Sequence, residues 1–92
     1  MTFIGMISDH KSFDKVKEEL KEPQLELINI NKKSIGNIKN IKFEIIIINS
    51  NLENFTNEIN IIEKLCSKSK YVIINTDINL QFEILNQDKT NI

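Results

Sequence analysis

The sequence predicts an α/β fold, in which a mostly parallel four-stranded sheet carries helices on both faces. Residues 43–49 read Phe-Glu-Ile-Ile-Ile-Ile-Asn, and four consecutive isoleucines leave no polar face. A strand of this kind must be covered on both sides, as happens in parallel sheets. In addition, short β-branched runs alternate along the chain with stretches of helical periodicity, which is typical of successive βα units.

The bulk composition predicts one globular domain spanning residues 1–92. A chain of 92 residues with 40% hydrophobic content can build a single core, and 27% charged residues are ordinary for a globular protein. The formal net charge is −1, so the chain has no basic excess with which to hold a phosphate backbone. We therefore do not expect nucleic acid to be a partner.

The N-terminal half predicts two strands and two helices. Residues 3–8 form the first strand, in which Gly5 indicates close approach by a packed helix. Residues 12–21 form a helix with Ser12 as its N-cap. Residues 25–30 form a second strand whose polar admixture suits an edge position. Residues 31–42 predict a short or irregular helix with Ser34 as a candidate cap.

The remaining chain continues the alternation of strands and helices. After the central strand, residues 43–49, a helix begins between residues 52 and 57 and ends near Lys68, with its apolar side chains along one stripe. Residues 71–75 form the fourth strand. Residues 78–85 suit a helix or an alternating strand, and the βα rhythm favours a helix capped by Asp77. Right-handed crossovers then give the strand order 2-1-3-4 of a flavodoxin-like or Rossmann-like sheet.

The fourth strand, between Tyr71 and Asn75, is as apolar as a central strand although the predicted order puts it at an edge. Proteins usually cover such an edge, because its unpaired backbone is a template for further pairing. We therefore expect either a later strand, starting near residues 90–92, or another subunit to pair there. The chain would then be the leading part of a larger α/β unit, or a protein that binds a partner or itself through this edge.

Three polar clusters follow strands 1, 3 and 4, at the carboxyl edge where open α/β sheets bind ligands. The candidate ligand-binding residues in these clusters are Asp9, His10, Asn49, Asn51, Thr76 and Asp77. The same residue types cap helices and form turns, and that structural role is the more frequent one. Two aspartates make a weak site for Mg²⁺, and His10 has no recognisable nucleophile as its partner. We therefore expect no catalytic residue and no metal site.

The sequence predicts no cofactor. Its two glycines, Gly5 and Gly36, are too far apart to build a dinucleotide-binding turn or a phosphate loop.

The one cysteine, Cys66, falls among apolar residues of a predicted helix, where a buried thiol is expected. The N-terminus has no basic leader and no apolar run reaches membrane-spanning length, which favours a cytoplasmic protein without membrane contact.

The layout resembles that of response-regulator receiver domains. Asp9 matches the acidic position after strand 1, Asn49 stands where receivers carry the phosphoacceptor aspartate, and Thr76 closes strand 4 where they carry Thr or Ser. Asn49 cannot accept phosphate as an aspartate does, and the receivers' fifth strand with its lysine has no counterpart in the sequence. The resemblance implies a pseudo-receiver that does not undergo aspartyl phosphorylation.

A second resemblance lies in residues 72–77, Val-Ile-Ile-Asn-Thr-Asp, which are similar to the strand and Asn-x-Asp that close the nucleotide domain of Mur-ligase-like proteins. Because the phosphate loop of that family is missing, this resemblance implies a non-catalytic remnant. The sequence therefore predicts a non-enzymatic regulatory or protein-interaction module with a degenerate receiver-like site. The alternative is a domain that binds a small ligand, nucleotide or phosphate at the polar clusters.

Overall fold

A computed structural model describes residues 1–50 and 52–75, apart from the side chain of Asn54. Its four strands are β1 (Thr2–Ile7), β2 (Leu25–Asn29), β3 (Ile45–Ile48) and β4 (Tyr71–Ile74), and its α-helices are α1 (His10–Glu19), α2 (Ile35–Ile38) and α3 (Ile59–Lys68). A 3₁₀ segment, Glu53–Glu58, leads into α3. The strands form one all-parallel sheet in the order β2-β1-β3-β4, which confirms the predicted fold class and strand order. The elements predicted at residues 78–85 and 90–92 lie outside the described residues.

The register of the sheet decides which side chains share a face. In the pairing of β1 with β3, Ile7 lies beside Ile48 and Met6 lies beside Ile47. Because successive side chains of a strand point to opposite faces, these two pairs belong to different sides of the sheet. The four consecutive isoleucines of β3 are therefore divided between two cores.

The larger core lies on the face that carries Ile46 and Ile48. Both isoleucines are almost completely buried, at 1% and 0% exposure. They belong to a cluster that also contains apolar residues of α2, the 3₁₀ segment, α3 and β4, namely Ile35, Ile38, Phe55, Ile62, Leu65, Cys66, Val72 and Ile74. The predicted apolar stripe of the helix ending at Lys68 is thus confirmed, and Cys66 is buried as expected.

The opposite face carries the smaller core. Ile4, Met6 and Phe13 are buried outside the larger cluster. Right-handed crossovers put α1 on this face and the helices after β2 and β3 on the other. Ile45 and Ile47 are half-buried here, so the two faces of β3 are covered unequally. None of the helices in the described ranges is long and apolar enough to cross a membrane.

The N-cap of helix α1 is Asp9 and not Ser12, three residues earlier than predicted. The Asp9 Oδ1 accepts a hydrogen bond from the Ser12 backbone N–H at 2.8 Å, and its Oδ2 accepts one from the Ser12 hydroxyl at 3.1 Å. Ser12 is therefore a donor inside the first turn. A carboxylate is well suited to this position, since it accepts from the unpaired N–H groups and faces the positive end of the helix dipole.

Gly5 is closely packed, as predicted, but the side chains nearest to it do not belong to a helix. A methyl group added at Gly5 would lie 2.6 Å from the Ile30 side chain and 3.1 Å from the ring of Phe43. Phe43 precedes β3 rather than belonging to it, yet it is fully buried. The glycine therefore makes room for an aromatic ring in the larger core.

The predicted short helix after β2 is confirmed as the four-residue α2, but Ser34 does not cap it with its side chain. Instead the Ser34 hydroxyl donates to the Asn29 carbonyl at 2.8 Å and accepts from the Asn31 N–H at 3.0 Å. These bonds fix the turn between β2 and α2, which contributes to the cavity described next.

Candidate ligand site at the carboxyl edge of the sheet

An open cavity of about 530 Å³ lies at the carboxyl ends of β1, β2 and β3. This place includes the boundary between β1 and β3, where the direction of winding reverses and where open α/β sheets bind ligands. The volume falls within the range of small-molecule sites. The cavity has an apolar base and a polar rim, which are lined by Ile7, Ile30 and Phe55 and by Ser8, Asp9, Asn31, Lys32 and Ser50 respectively.

The apolar base of the cavity is held by the sheet and the 3₁₀ segment. Ile7 and Ile30 are nearly fully buried, and the Ile30 N–H donates to the Met6 carbonyl at 2.8 Å, which extends the β1–β2 ladder beyond β2. Phe55 is fixed through its backbone N–H, which donates to the Leu52 carbonyl at 2.9 Å. Only 2% of Ile7, 1% of Ile30 and 8% of Phe55 is exposed, so the apolar base is small and its side chains are held in place by the core.

Asp9 contributes a fixed negative charge to the rim. The backbone N–H of Ser12, and then the Ser12 hydroxyl, donate to its carboxylate and lower the pKa of Asp9 below its ordinary value of 3.8. The carboxylate is therefore ionised at neutral pH. It is also exposed, so a ligand can reach it.

Asn31 lines the cavity with a side-chain amide whose oxygen is already engaged. Its Oδ1 accepts hydrogen bonds from the backbone N–H groups of Lys33, at 2.9 Å, and Ser34, at 2.8 Å. These two donors identify the oxygen, so the NH₂ group is the end of the amide that remains for a ligand. The turn after β2 thus supplies hydrogen-bond donors.

Lys32 places a positive charge on the same turn. It is exposed, and no carboxylate among the described residues lies within ion-pair distance of its ammonium group. Among the described residues, an ion pair joins Lys70 and Glu44 at 3.6 Å. This pair lies at the amino ends of β3 and β4, at the edge of the sheet opposite to the cavity. Lys32 is therefore available to an anionic group.

The two serines of the rim donate to the backbone and keep their lone pairs. The Ser8 hydroxyl donates to the Asp9 carbonyl at 3.0 Å, and the Ser50 hydroxyl donates to the Ile7 carbonyl at 3.5 Å. With their protons engaged, these oxygens offer acceptor capacity to a ligand. The rim therefore has donors after β2 and acceptors after β1 and β3.

The structure brings one of the predicted candidate residues, Asp9, into the cavity. His10 is the first residue of α1, is exposed and does not line it. The Asn49 N–H donates to the Ile7 carbonyl at 2.8 Å, which continues the ladder and puts its side chain on the face of Ile47, away from Ser50. Asn51, Thr76 and Asp77 lie outside the described residues.

Sequence reasoning missed the contribution of the turn after β2. The search for polar clusters covered strands 1, 3 and 4, yet Asn31 and Lys32 follow strand 2 at the same edge of the sheet. Applying the carboxyl-edge rule to every parallel strand would have found them. Phe55 carries no such signal, because its spacing fits the apolar stripe of the following helix.

Among the residues that the structure describes, no group of three or more His, Cys, Asp or Glu side chains could hold a metal ion. A scan against protein-family models and searches of curated proteins and of solved structures found no match to this chain.

Proposed function

We propose that this chain is a non-enzymatic regulatory or interaction module that pairs with a second copy of itself through the outer edge of β4. The observation that carries the proposal is the chemistry of this strand. β4 is the last strand of the described sheet, and its sequence Tyr-Val-Ile-Ile contains no charge. Such an edge is a template for strand addition.

The backbone hydrogen bonds indicate which groups β4 turns outward. The N–H groups of Tyr71 and Asn75 donate to the carbonyls of Glu44 and Ile48 of the neighbouring chain segment. In a parallel ladder, alternate residues direct both backbone groups to the same neighbour. The N–H and C=O groups of Val72 and Ile74 therefore face away from β3, and they are the groups that an added strand would bond.

The other edge strand of the sheet, β2, carries features that discourage pairing, which supports β4 as the pairing edge. β2 carries the exposed Glu26 within its five residues, and Pro23 precedes it. Charged residues and proline are the means by which proteins protect edge strands from pairing. The charge and the proline that discourage pairing are therefore at β2, whereas β4 has the apolar composition of a strand that is paired on both sides.

A second copy suits the edge because antiparallel pairing of two β4 strands is self-complementary. With Ile73 on the two-fold axis, Val72 of each copy lies opposite Ile74 of the other, and their outward backbone groups bond reciprocally. Apolar and β-branched side chains then meet across the pair, and no like charges face one another within residues 71–74.

Disulfide trapping at residue 73 tests this pairing. Ile73 would form a non-hydrogen-bonded pair with its symmetry mate, at a Cα separation of about 4.5 Å, which is within disulfide range. The variant Ile73→Cys should cross-link rapidly into dimers under mild oxidation. Ile47→Cys is the matched control, since Ile47 is a half-buried neighbour of Ile73 on the same face but on an interior strand. Equal cross-linking of the two variants, or none, would contradict the proposal.

The receiver-like interpretation belongs to the same proposal, as a regulatory domain that does not accept phosphate. Capping of α1 engages both carboxylate oxygens of Asp9, which gives this residue a structural role beside any contact with a ligand. The proposal predicts that acetyl phosphate with Mg²⁺ leaves the thermal stability unchanged. A rise in the melting temperature that Asp9→Ala abolishes would support a phosphoryl-linked site instead.

The second candidate function is small-ligand binding, and the cavity at the carboxyl edge favours it. The site has the volume, the apolar base and the few convergent polar groups that characterise ligand pockets. A phosphate or nucleotide suits it poorly, because the ionised Asp9 would repel the phosphate. The two functions are compatible, since the cavity is formed at the ends of β1, β2 and β3 and the pairing edge belongs to β4.

A further inference from the structure

We infer that the carboxyl-edge cavity binds a small apolar zwitterion, of which an apolar amino acid is the simplest representative. The inference rests on the second candidate function, small-ligand binding, and is independent of pairing at β4. It follows from the arrangement of charge and hydrogen-bonding capacity around the apolar base.

The turn after β2 is suited to an anionic group. Lys32 supplies a positive charge, and Asn31 supplies amide N–H donors, because two backbone N–H groups already occupy its oxygen. A carboxylate can accept from both groups at once, and charge-assisted hydrogen bonds of this kind are the strong ones.

The turn after β1 is suited to a cationic group. The Asp9 carboxylate is ionised, and the Ser8 hydroxyl, having donated its proton to a carbonyl, retains lone pairs. An ammonium group offers three donors and no acceptor, which matches this set. The turn after β1 therefore favours a positive charge, and the turn after the adjacent strand β2 favours a negative one.

The base of the cavity favours a ligand with an apolar body. Ile7, Ile30 and Phe55 form it, and no described charged side chain belongs to the base. Water over such a surface is displaced favourably by a hydrocarbon group. A zwitterion with a hydrocarbon or aromatic side chain matches both the rim and the base. A molecule with one charge leaves either Lys32 or Asp9 without an oppositely charged group.

Binding of charge-matched probes tests the inference, with affinities measured by NMR titration of the backbone amides. L-Phenylalanine and L-leucine carry both charges, 3-phenylpropionate lacks the ammonium group, and phenethylamine lacks the carboxylate. We expect an apolar amino acid to bind about two- to fivefold more tightly than either singly charged analogue, because Asp9 and Lys32 are exposed and an exposed ion pair contributes about that factor. The shifted amides should include those of residues 8, 31 and 50.

Two conservative variants assign the charges. Lys32→Gln should weaken binding of the amino acid about two- to fivefold and leave phenethylamine unaffected. Lys33→Gln is the matched control, since Lys33 is the adjacent exposed lysine and does not line the cavity. Asp9→Asn keeps an oxygen acceptor for the helix cap while removing the charge, and it should weaken the amino acid but not 3-phenylpropionate.

The outcomes separate the inference from the function on which it rests. If a singly charged analogue binds as tightly as the amino acids, the cavity binds small ligands but the zwitterion assignment is wrong. If none of the probes shifts the amides around the cavity, both the assignment and small-ligand binding are contradicted. Equal loss of binding in Lys32→Gln and Lys33→Gln would also overturn the assignment.

Discussion

At the scale of single residues, Gly5 shows how tightly the larger core is packed. A methyl group added there would meet Ile30 and the ring of Phe43, whereas one added at Gly36 would meet nothing within 4 Å. We predict that Gly5→Ala lowers the free energy of unfolding by about 1–3 kcal/mol through overpacking. Gly36→Ala, in α2, should raise it by about 0.4–1 kcal/mol. Urea denaturation measures both, and similar values for the two variants would contradict this packing.

Asp9 makes the stability of α1 dependent on pH. Because the folded pKa is lowered, the carboxylate contributes stability that is fully present above the ordinary value of 3.8 and is lost as the pH falls through the folded value. An NMR titration of the Asp9 carboxyl carbon should therefore have its midpoint below 3.8. Ser12→Ala should move that midpoint upward, since it removes the hydroxyl donor. A wild-type midpoint at or above the ordinary value would refute the capping geometry.

At the scale of elements, the turn between β2 and α2 depends on Ser34. Its hydroxyl bonds the Asn29 carbonyl and the Asn31 N–H in a partly buried position. We predict that Ser34→Ala destabilises the protein by about 0.5–1.5 kcal/mol, with Ser34→Thr as the variant that retains the hydroxyl. The amides of residues 31–34 should exchange faster in the alanine variant. Unchanged exchange there would show that other contacts hold the turn.

The elements also show which features the sequence could predict. The isoleucine run predicted a strand between two layers because its side chains have one physical requirement, removal from water. Helix starts were less predictable. Ser8, Asp9 and Ser12 are all competent caps, and the choice of Asp9 depends on where β1 ends. Likewise, periodicity could not distinguish a 3₁₀ segment from an α-helix before Ile59, because both place Phe55 toward the core.

The functional residues were harder to predict than the fold for a related reason. Asn31 has only its amide N–H groups left for a ligand, because two backbone donors hold its oxygen, and that constraint exists only once the turn has formed. Lys32 and Lys33 are indistinguishable by sequence, yet one of them lines the cavity. Which residues line the cavity therefore depends on the conformation of the turn after β2, and no pattern in the sequence specifies that conformation.

At the scale of the whole molecule, a charge introduced on the proposed two-fold axis should separate the copies. We predict that Ile73→Lys abolishes dimers in analytical ultracentrifugation, since two lysines would then lie directly opposite each other. Ile47→Lys places the same charge on the same face of an interior strand and should leave any folded protein dimeric. Circular dichroism checks that both variants fold. Dimers of Ile73→Lys, or monomers of the wild type at all concentrations, would argue against pairing through β4.

Amide hydrogen exchange along β4 distinguishes a paired edge from an unpaired one, because it reports on the two edges of the strand separately. The N–H groups of Tyr71 and Asn75 bond the β3 side and should be protected at every protein concentration. The account predicts that those of Val72 and Ile74 become protected as concentration rises and lose protection on dilution. Rapid exchange of Val72 and Ile74 at all concentrations, or protection that does not depend on concentration, would contradict pairing between copies.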